Sequence, residues 1–149
     1  MNWEVDNSSQ VVFYTGKADG MPRAEAMREM LETFEREVLP KNKDINWDCI
    51  RTEIWADSGR FIIFPISSQT ENRIEKAGCQ VIFSDLLESY NELADSDVDD
   101  DIFCDQLSSL LASWNNEFIN IAKSNNRLSS CRLLVWDADS EEILADCNM

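Results

Sequence analysis

The chain contains no histidine, only 4 glycines and 3 prolines, and 13 Lys and Arg against 29 Asp and Glu, a net charge of −16 over 149 residues. Without histidine it lacks the side chain whose ordinary pKa lies nearest neutrality. Ser-His-Asp and Cys-His catalysis and His-ligated zinc are thereby removed. The scarcity of cations argues against direct binding to DNA or RNA, because neutralising phosphates takes clustered Lys and Arg, and so acidic a chain repels a polyanion. No stretch approaches 18 consecutive apolar residues, so no membrane span is expected. The segment Met1-Asn2-Trp3-Glu4-Val5-Asp6 is polar and acidic where a signal peptide is basic and then apolar, and a cytoplasmic location is the expectation. Gly16-Lys17 lacks the glycine frame of a phosphate-binding loop, and neither a dinucleotide-binding glycine motif nor a nucleophile elbow is present. No cofactor is implied, and an enzyme is not expected.

What is present is ample apolar material. Hydrophobic residues make up 44% of the chain, which argues against disorder despite the charge, and the length suits one globular domain over residues 1–149. The five cysteines, Cys49, Cys79, Cys104, Cys131 and Cys147, are odd in number and lie at least 16 residues apart. That pattern suggests neither a disulfide framework nor a paired-cysteine metal or redox site, and reduced, mostly buried thiols are expected.

Val11-Val12-Phe13-Tyr14 reads as a strand that ends in the turn chemistry of Thr15 to Gly20. Met27, Met30, Leu31, Phe34 and Val38 recur at helical spacing after Pro22, predicting a helix over about 22–39 that Pro40 stops. Ile50, Thr52, Ile54 and Ala56 alternate with Arg51, Glu53 and Trp55. A turn at Asp57-Ser58-Gly59-Arg60 leads into Phe61-Ile62-Ile63-Phe64, which makes the clearest hairpin. The second of these strands is apolar on both parities, so it is expected to be central or covered on both faces, with Pro65 marking a bulge or end.

Ser68 and Glu71 have the spacing of a capping box, and Ile82, Phe83, Leu86, Leu87, Tyr90 and Leu93 continue at helical intervals to about residue 94, with Gly78 as a break. A strand over Gln80 to Phe83 is the rival reading, because periodicity does not assign short apolar runs. Phe103, Leu107, Leu110, Leu111, Trp114, Phe118, Ile121 and Ala122 predict a helix over about 102–124. Leu133 to Trp136 reads as a strand, Asp137 to Ser140 as a turn, and Ile143 to Ala145 as a short edge strand. The expected architecture is α+β, a largely antiparallel sheet with amphipathic helices packed against it as a single pair of layers.

Charge is unevenly spread. Residues 77–149 carry 3 basic and 15 acidic groups, against 10 and 14 in residues 1–76. Between Lys76 and Lys123 there is no cation, while Asp85, Glu88, Glu92, Asp95, Asp97, Asp99, Asp100, Asp101, Asp105 and Glu117 are all acidic. A solvated face accounts for part of this, and Asp before a helix near 102 favours its positive end. Solubility alone, however, asks for a net charge of only about 2–8 in magnitude, and uncompensated carboxylates repel one another. The excess points to a basic protein partner, with Glu88, Glu92, Asp95, Asp97, Asp99, Asp100, Asp101 and Asp105 as its electrostatic contacts. Trp47, Trp55, Trp114 or Trp136, where exposed, could supply aromatic anchors, although core packing is the expected role of Trp114 and Trp136.

In size, charge and reduced cysteines the chain is similar in kind to bacterial immunity proteins, small acidic inhibitors that bind and occlude a basic toxin or nuclease domain. That similarity is one of physical type and rests on no motif. The alternative is a non-catalytic accessory or regulatory domain with a solvated acidic face. Less expected are a carboxylate-based enzyme and a calcium site. For calcium, Asp95, Asp97 and Asp99 stand at positions 1, 3 and 5 of a partial EF-hand loop with Ile102 at position 8. Asp100 replaces the glycine of the sharp turn and Gln106 the bidentate Glu, the two residues that carry the turn and the strongest ligand.

Overall fold

The computed structural model describes residues 1–8, 10–67 and 75–124, together with the backbone of two further strands, Arg132–Asp137 and Glu142–Asn148. The strands are β1 (Trp3–Asp6), β2 (Val12–Lys17), β3 (Cys49–Trp55), β4 (Arg60–Ile66), β5 (Ala77–Ile82), β6 (Arg132–Asp137) and β7 (Glu142–Asn148). The helices are α1 (Arg23–Thr33), the three-residue α2 (Leu39–Lys41), α3 (Ser84–Asp95) and α4 (Asp100–Lys123). All seven strands form one sheet in the order β1-β2-β5-β4-β3-β6-β7. Four of the six pairings are antiparallel, as expected of this α+β fold. The β2–β5 and β3–β6 pairs are parallel, and helical segments lie in the chain between their members.

Alternation along the central strands sorts the core. Ile50, Thr52 and Ile54 of β3, Phe61 and Ile63 of β4, and Ala77, Cys79 and Val81 of β5 are buried and face the helices. Ala26, Met27, Met30 and Leu31 of α1 and Trp114, Phe118, Ile119 and Ala122 of α4 meet them there. The other parity of β3 and β4 builds a smaller cluster of Cys49, Phe64 and Ile66 flanked by Ile62, with no described helix residue in it. Arg51 and Glu53 pair at 2.7 Å on this opposite parity, and the Arg51 guanidinium lies 5.4 Å from the Phe64 ring.

Two expectations are corrected, and one open reading is decided. The helix predicted to stop before Pro40 passes into a π-helical turn at Phe34–Val38 and continues to Lys41. The Leu39 N–H donates five residues back to the Phe34 carbonyl. Pro40 then falls in the first turn of α2, where no N–H is required of it. Buried Asn42 closes this end: its Nδ2 donates to the Val38 carbonyl at 2.8 Å and its Oδ1 accepts from the Lys76 N–H at 2.9 Å.

Second, of the two readings left open for this run, the strand over Gln80 to Phe83 is the one that forms, as the latter part of β5, which ends at Ile82, and the helix begins only at Ser84. β5 is clamped between β2 and β4, and only pairing on both sides decides such a run. Gly78 is therefore a strand residue, and a Cβ there would sit 2.8 Å from the Phe13 ring. Third, Pro65 lies inside β4, which continues to Ile66 against β3, whereas pairing with β5 ends at Ile63. The proline thus ends one ladder and not the strand. β1 has no counterpart among the expected elements, because its acidic composition hides an edge strand that packs Trp3 over Gly16. The capping pair Ser68 and Glu71 and the turn at residues 138–140 lie outside the described residues.

Candidate interaction surface

α3 and α4 form a helical hairpin joined by residues 96–99. The Ser96 hydroxyl donates to the Leu93 carbonyl at 2.6 Å at the end of α3, and the Asp99 carboxylate accepts from the Ile102 N–H at 3.0 Å as the N-cap of α4. The two helices touch through Tyr90 and Phe103, whose rings stand edge to face at 6.2 Å. The hairpin is fully buried only at its base, while Tyr90, Leu107, Leu110 and Leu111 pack against the core partly buried. Leu86 is the one buried residue of α3, and the buried residues of α4 begin at Trp114. Trp114 stacks edge to face on Phe83 at 4.8 Å, and the Arg23 guanidinium lies 3.7 Å from its ring while pairing with Glu117 at 3.1 Å.

This half-anchored geometry sets the acidic residues outward. Glu88, Glu92, Asp95, Asp97, Asp99, Asp100, Asp101 and Asp105 lie on the outer part of the hairpin, and none forms a salt bridge among the described residues. Glu117, at the anchored end, is the contrast: it has Arg23. Among the carboxylates at the hairpin tip stand two aliphatic side chains, Val98 at 37% and Ile102 at 45% exposure.

The partial calcium loop is not assembled. Asp95 closes α3, Asp99 caps α4, and α4 begins at Asp100, so the latter half of the twelve-residue loop is helix. Among the described residues no three His, Cys, Asp or Glu come together in a way that could hold a metal ion. Replacing Asp99 by alanine is expected to cost about 1 kcal/mol of stability through the lost cap, and Asp99→Asn to restore most of it, as read by urea denaturation.

Of the tryptophans, Trp114 is core and Trp47 is half-buried against Phe34, ring centroids 6.3 Å apart. Trp55 is 39% exposed, its indole N–H donating to Glu53 at 3.3 Å. The side chain of Trp136 lies outside the described residues, as do those of Cys131 and Cys147. Cys49 and Cys79 are buried, and burial pushes the Cys79 thiol up, away from thiolate chemistry. Cys104 departs from the expectation of burial and is exposed on α4.

One feature escaped sequence reasoning. Tyr90, Leu107 and Leu111 pack partly buried against the core as their spacing implies, and with Phe103 they also form one wall of a cleft of about 220 Å³. Ile54, Trp55, Ala56 and Asp57, from the end of β3 and the following turn, form the other wall. A helical stripe shows which residues share a face, but not whether a second surface closes on all of it. No described helix is long and apolar enough to cross a membrane. Comparison with protein-family models, curated proteins and solved structures finds no match.

Proposed function

We propose that this protein is an acidic, non-catalytic binding module that occludes a basic protein, in the manner of an immunity protein bound to a cationic toxin or nuclease domain in the cytoplasm. The reading rests chiefly on the outward face of the α3–α4 hairpin, which carries eight exposed carboxylates with no salt-bridge partner among the described residues, together with exposed Val98 and Ile102. Solvation alone gives no reason to set aliphatic side chains among the acids, whereas a protein interface combines an apolar centre with a charged rim. The field of the hairpin would steer a cation in, and its carboxylates would cover the surface the partner uses for phosphate or nucleic acid.

The test is capture of partners at low salt on the native protein and on the variant Asp97→Asn/Asp100→Asn/Asp101→Asn/Asp105→Asn, which spares the cap at Asp99. A single basic protein in stoichiometric yield is expected on the native column. Its association should be slowed at least roughly tenfold by the variant, with most of the rate difference gone at about 1 M salt, and its own activity should be blocked in the complex. Equal association with native and variant protein, or no partner on either, overturns the reading.

A further inference from the structure

The sheet ends on one side at β1, whose strand partner is β2 alone. The neighbouring ladder decides which of its backbone groups are left over. The Val12 N–H donates to the Lys76 carbonyl at 2.8 Å and the Ala18 N–H to the Ile82 carbonyl at 3.0 Å, so the even-numbered residues of β2 turn their N–H and C=O groups to β5 and the odd-numbered ones to β1. Phe13 and Thr15 are thereby the hydrogen-bonded partners of Asp6 and Glu4, and the N–H and C=O groups of Trp3 and Val5 point away from the sheet. Side chains alternate along the same edge. Trp3 and Val5 share the helix-facing parity of Tyr14, with Trp3 packed against the core and Val5 50% exposed. Glu4 and Asp6 are exposed on the opposite face, and neither forms a salt bridge among the described residues. The Ser8 hydroxyl at 2.6 Å and N–H at 2.9 Å both donate to Oδ1 of Asp6, which holds that carboxyl below its ordinary pKa and keeps it charged.

We infer that β1 is a strand-docking edge, which accepts an extended segment of a partner protein in which Lys or Arg alternates with apolar residues. The added strand takes its hydrogen bonds from Trp3 and Val5, sets its cations beside Glu4 and Asp6, and lays its apolar side chains along Val5. Three properties of the edge select this occupant. Its outward main-chain groups call for a strand, because a helix spends its own N–H and C=O groups internally. Its paired acids call for cations on one face only, and a uniformly cationic strand would leave Val5 bare. A second copy of β1 is refused, because antiparallel pairing of the two would bring acid opposite acid, and like charges directly opposite destabilise a sheet. The docking uses none of the hairpin carboxylates and goes beyond the function proposed above.

The probes are two peptides of one composition, the first alternating lysine with valine and the second holding the lysines and valines in separate blocks, titrated into the full chain at low salt. The alternating peptide is expected to bind at least roughly tenfold more tightly and to slow hydrogen exchange of the Trp3 and Val5 amides. Val5→Pro removes an outward donor and no bond to β2, as an edge strand tolerates, and should abolish the preference with little change in the urea midpoint. Should that substitution loosen β1, N-methylation of the alternating peptide makes the same test from the partner's side and should also abolish the preference. The variant Asp97→Asn/Asp100→Asn/Asp101→Asn/Asp105→Asn should keep it. Equal binding of the two peptides overturns the docking edge and leaves the hairpin reading standing, and no binding by either overturns it too. A preference that outlives both Val5→Pro and N-methylation shows that main-chain pairing at β1 is not its source, and a preference lost in the hairpin variant places the contact on α3 and α4. Either result overturns the inference.

Discussion

Phe118→Ala is expected to remove about 3–5 kcal/mol of stability, a large share of the roughly 5–15 kcal/mol that holds a domain of this kind together. Phe118 is fully buried on α4, and its ring packs on Phe61 of β4 with centroids 5.0 Å apart and planes at 50°. It lies one helical turn from Trp114 and one from Ala122, both buried, so the truncation opens a void where the helix meets the centre of the sheet. Neighbours held by strand pairing cannot collapse into it, and the lost burial and the cavity add. Urea denaturation should show a lowered midpoint at unchanged slope. Leu107→Ala, on the same helix but half-exposed at the cleft, should lose much less. Equal losses at the two positions would show that the outer half of α4 is as firmly packed as the inner half, against the geometry described.

The second large effect is expected at Gly59. This residue ends the turn after β3 with φ +68°, and its carbonyl accepts from the Phe83 N–H at 2.7 Å, tying the hairpin corner to the start of α3. A Cβ at this position would lie 2.7 Å from the Phe83 carbonyl oxygen and 3.1 Å from the Leu87 Cβ. Left-handed backbone costs an L-residue about 1–2 kcal/mol, and the overlap adds about 1–3 kcal/mol because a main-chain oxygen paired into the fold cannot swing aside. Gly59→Ala should therefore lose about 2–5 kcal/mol in chemical denaturation. Gly59→Asn should recover little, since asparagine relieves the dihedral and not the overlap. Gly20 supplies the internal control: its φ is +72°, but nothing lies within 4 Å of where a Cβ would stand, so Gly20→Asn should be tolerated. If Asn rescued both sites alike, the close approach to Phe83 would not be what demands glycine at residue 59.

Both predictions concern the joint between the sheet and the α3–α4 hairpin, and this joint bears on the binding surface too. Phe118 anchors the inner half of α4, and Gly59 lies in the turn beside the wall formed by Trp55, Ala56 and Asp57. A change at residue 59 is therefore expected to disturb the cleft before it disturbs the outward carboxylates.

Local pattern was enough for the elements whose environment repeats with their own period. The helix around Trp114 and Phe118, the hairpin from Cys49 to Ile66 and the acidic character of residues 77–122 follow from side-chain spacing and charge, as does the α+β class. Tertiary structure decided the rest, for reasons that lie outside any short window. Residues 79–82 became strand because β2 and β4 satisfy their backbone on both sides. Pro40 was absorbed because a π turn shifted the hydrogen-bond register ahead of it, and β1 formed because an edge strand needs only one partner and little apolar content. The candidate site divides in the same way. The outward placement of Glu88 to Asp105 follows from a run of charge that no protein interior accommodates, whereas the cleft exists only because β3 and its turn approach the stripe of Tyr90, Phe103, Leu107 and Leu111 without closing over it. Charge is a property of composition and survives any fold, but a cavity is a property of the distance between two surfaces, which packing alone sets.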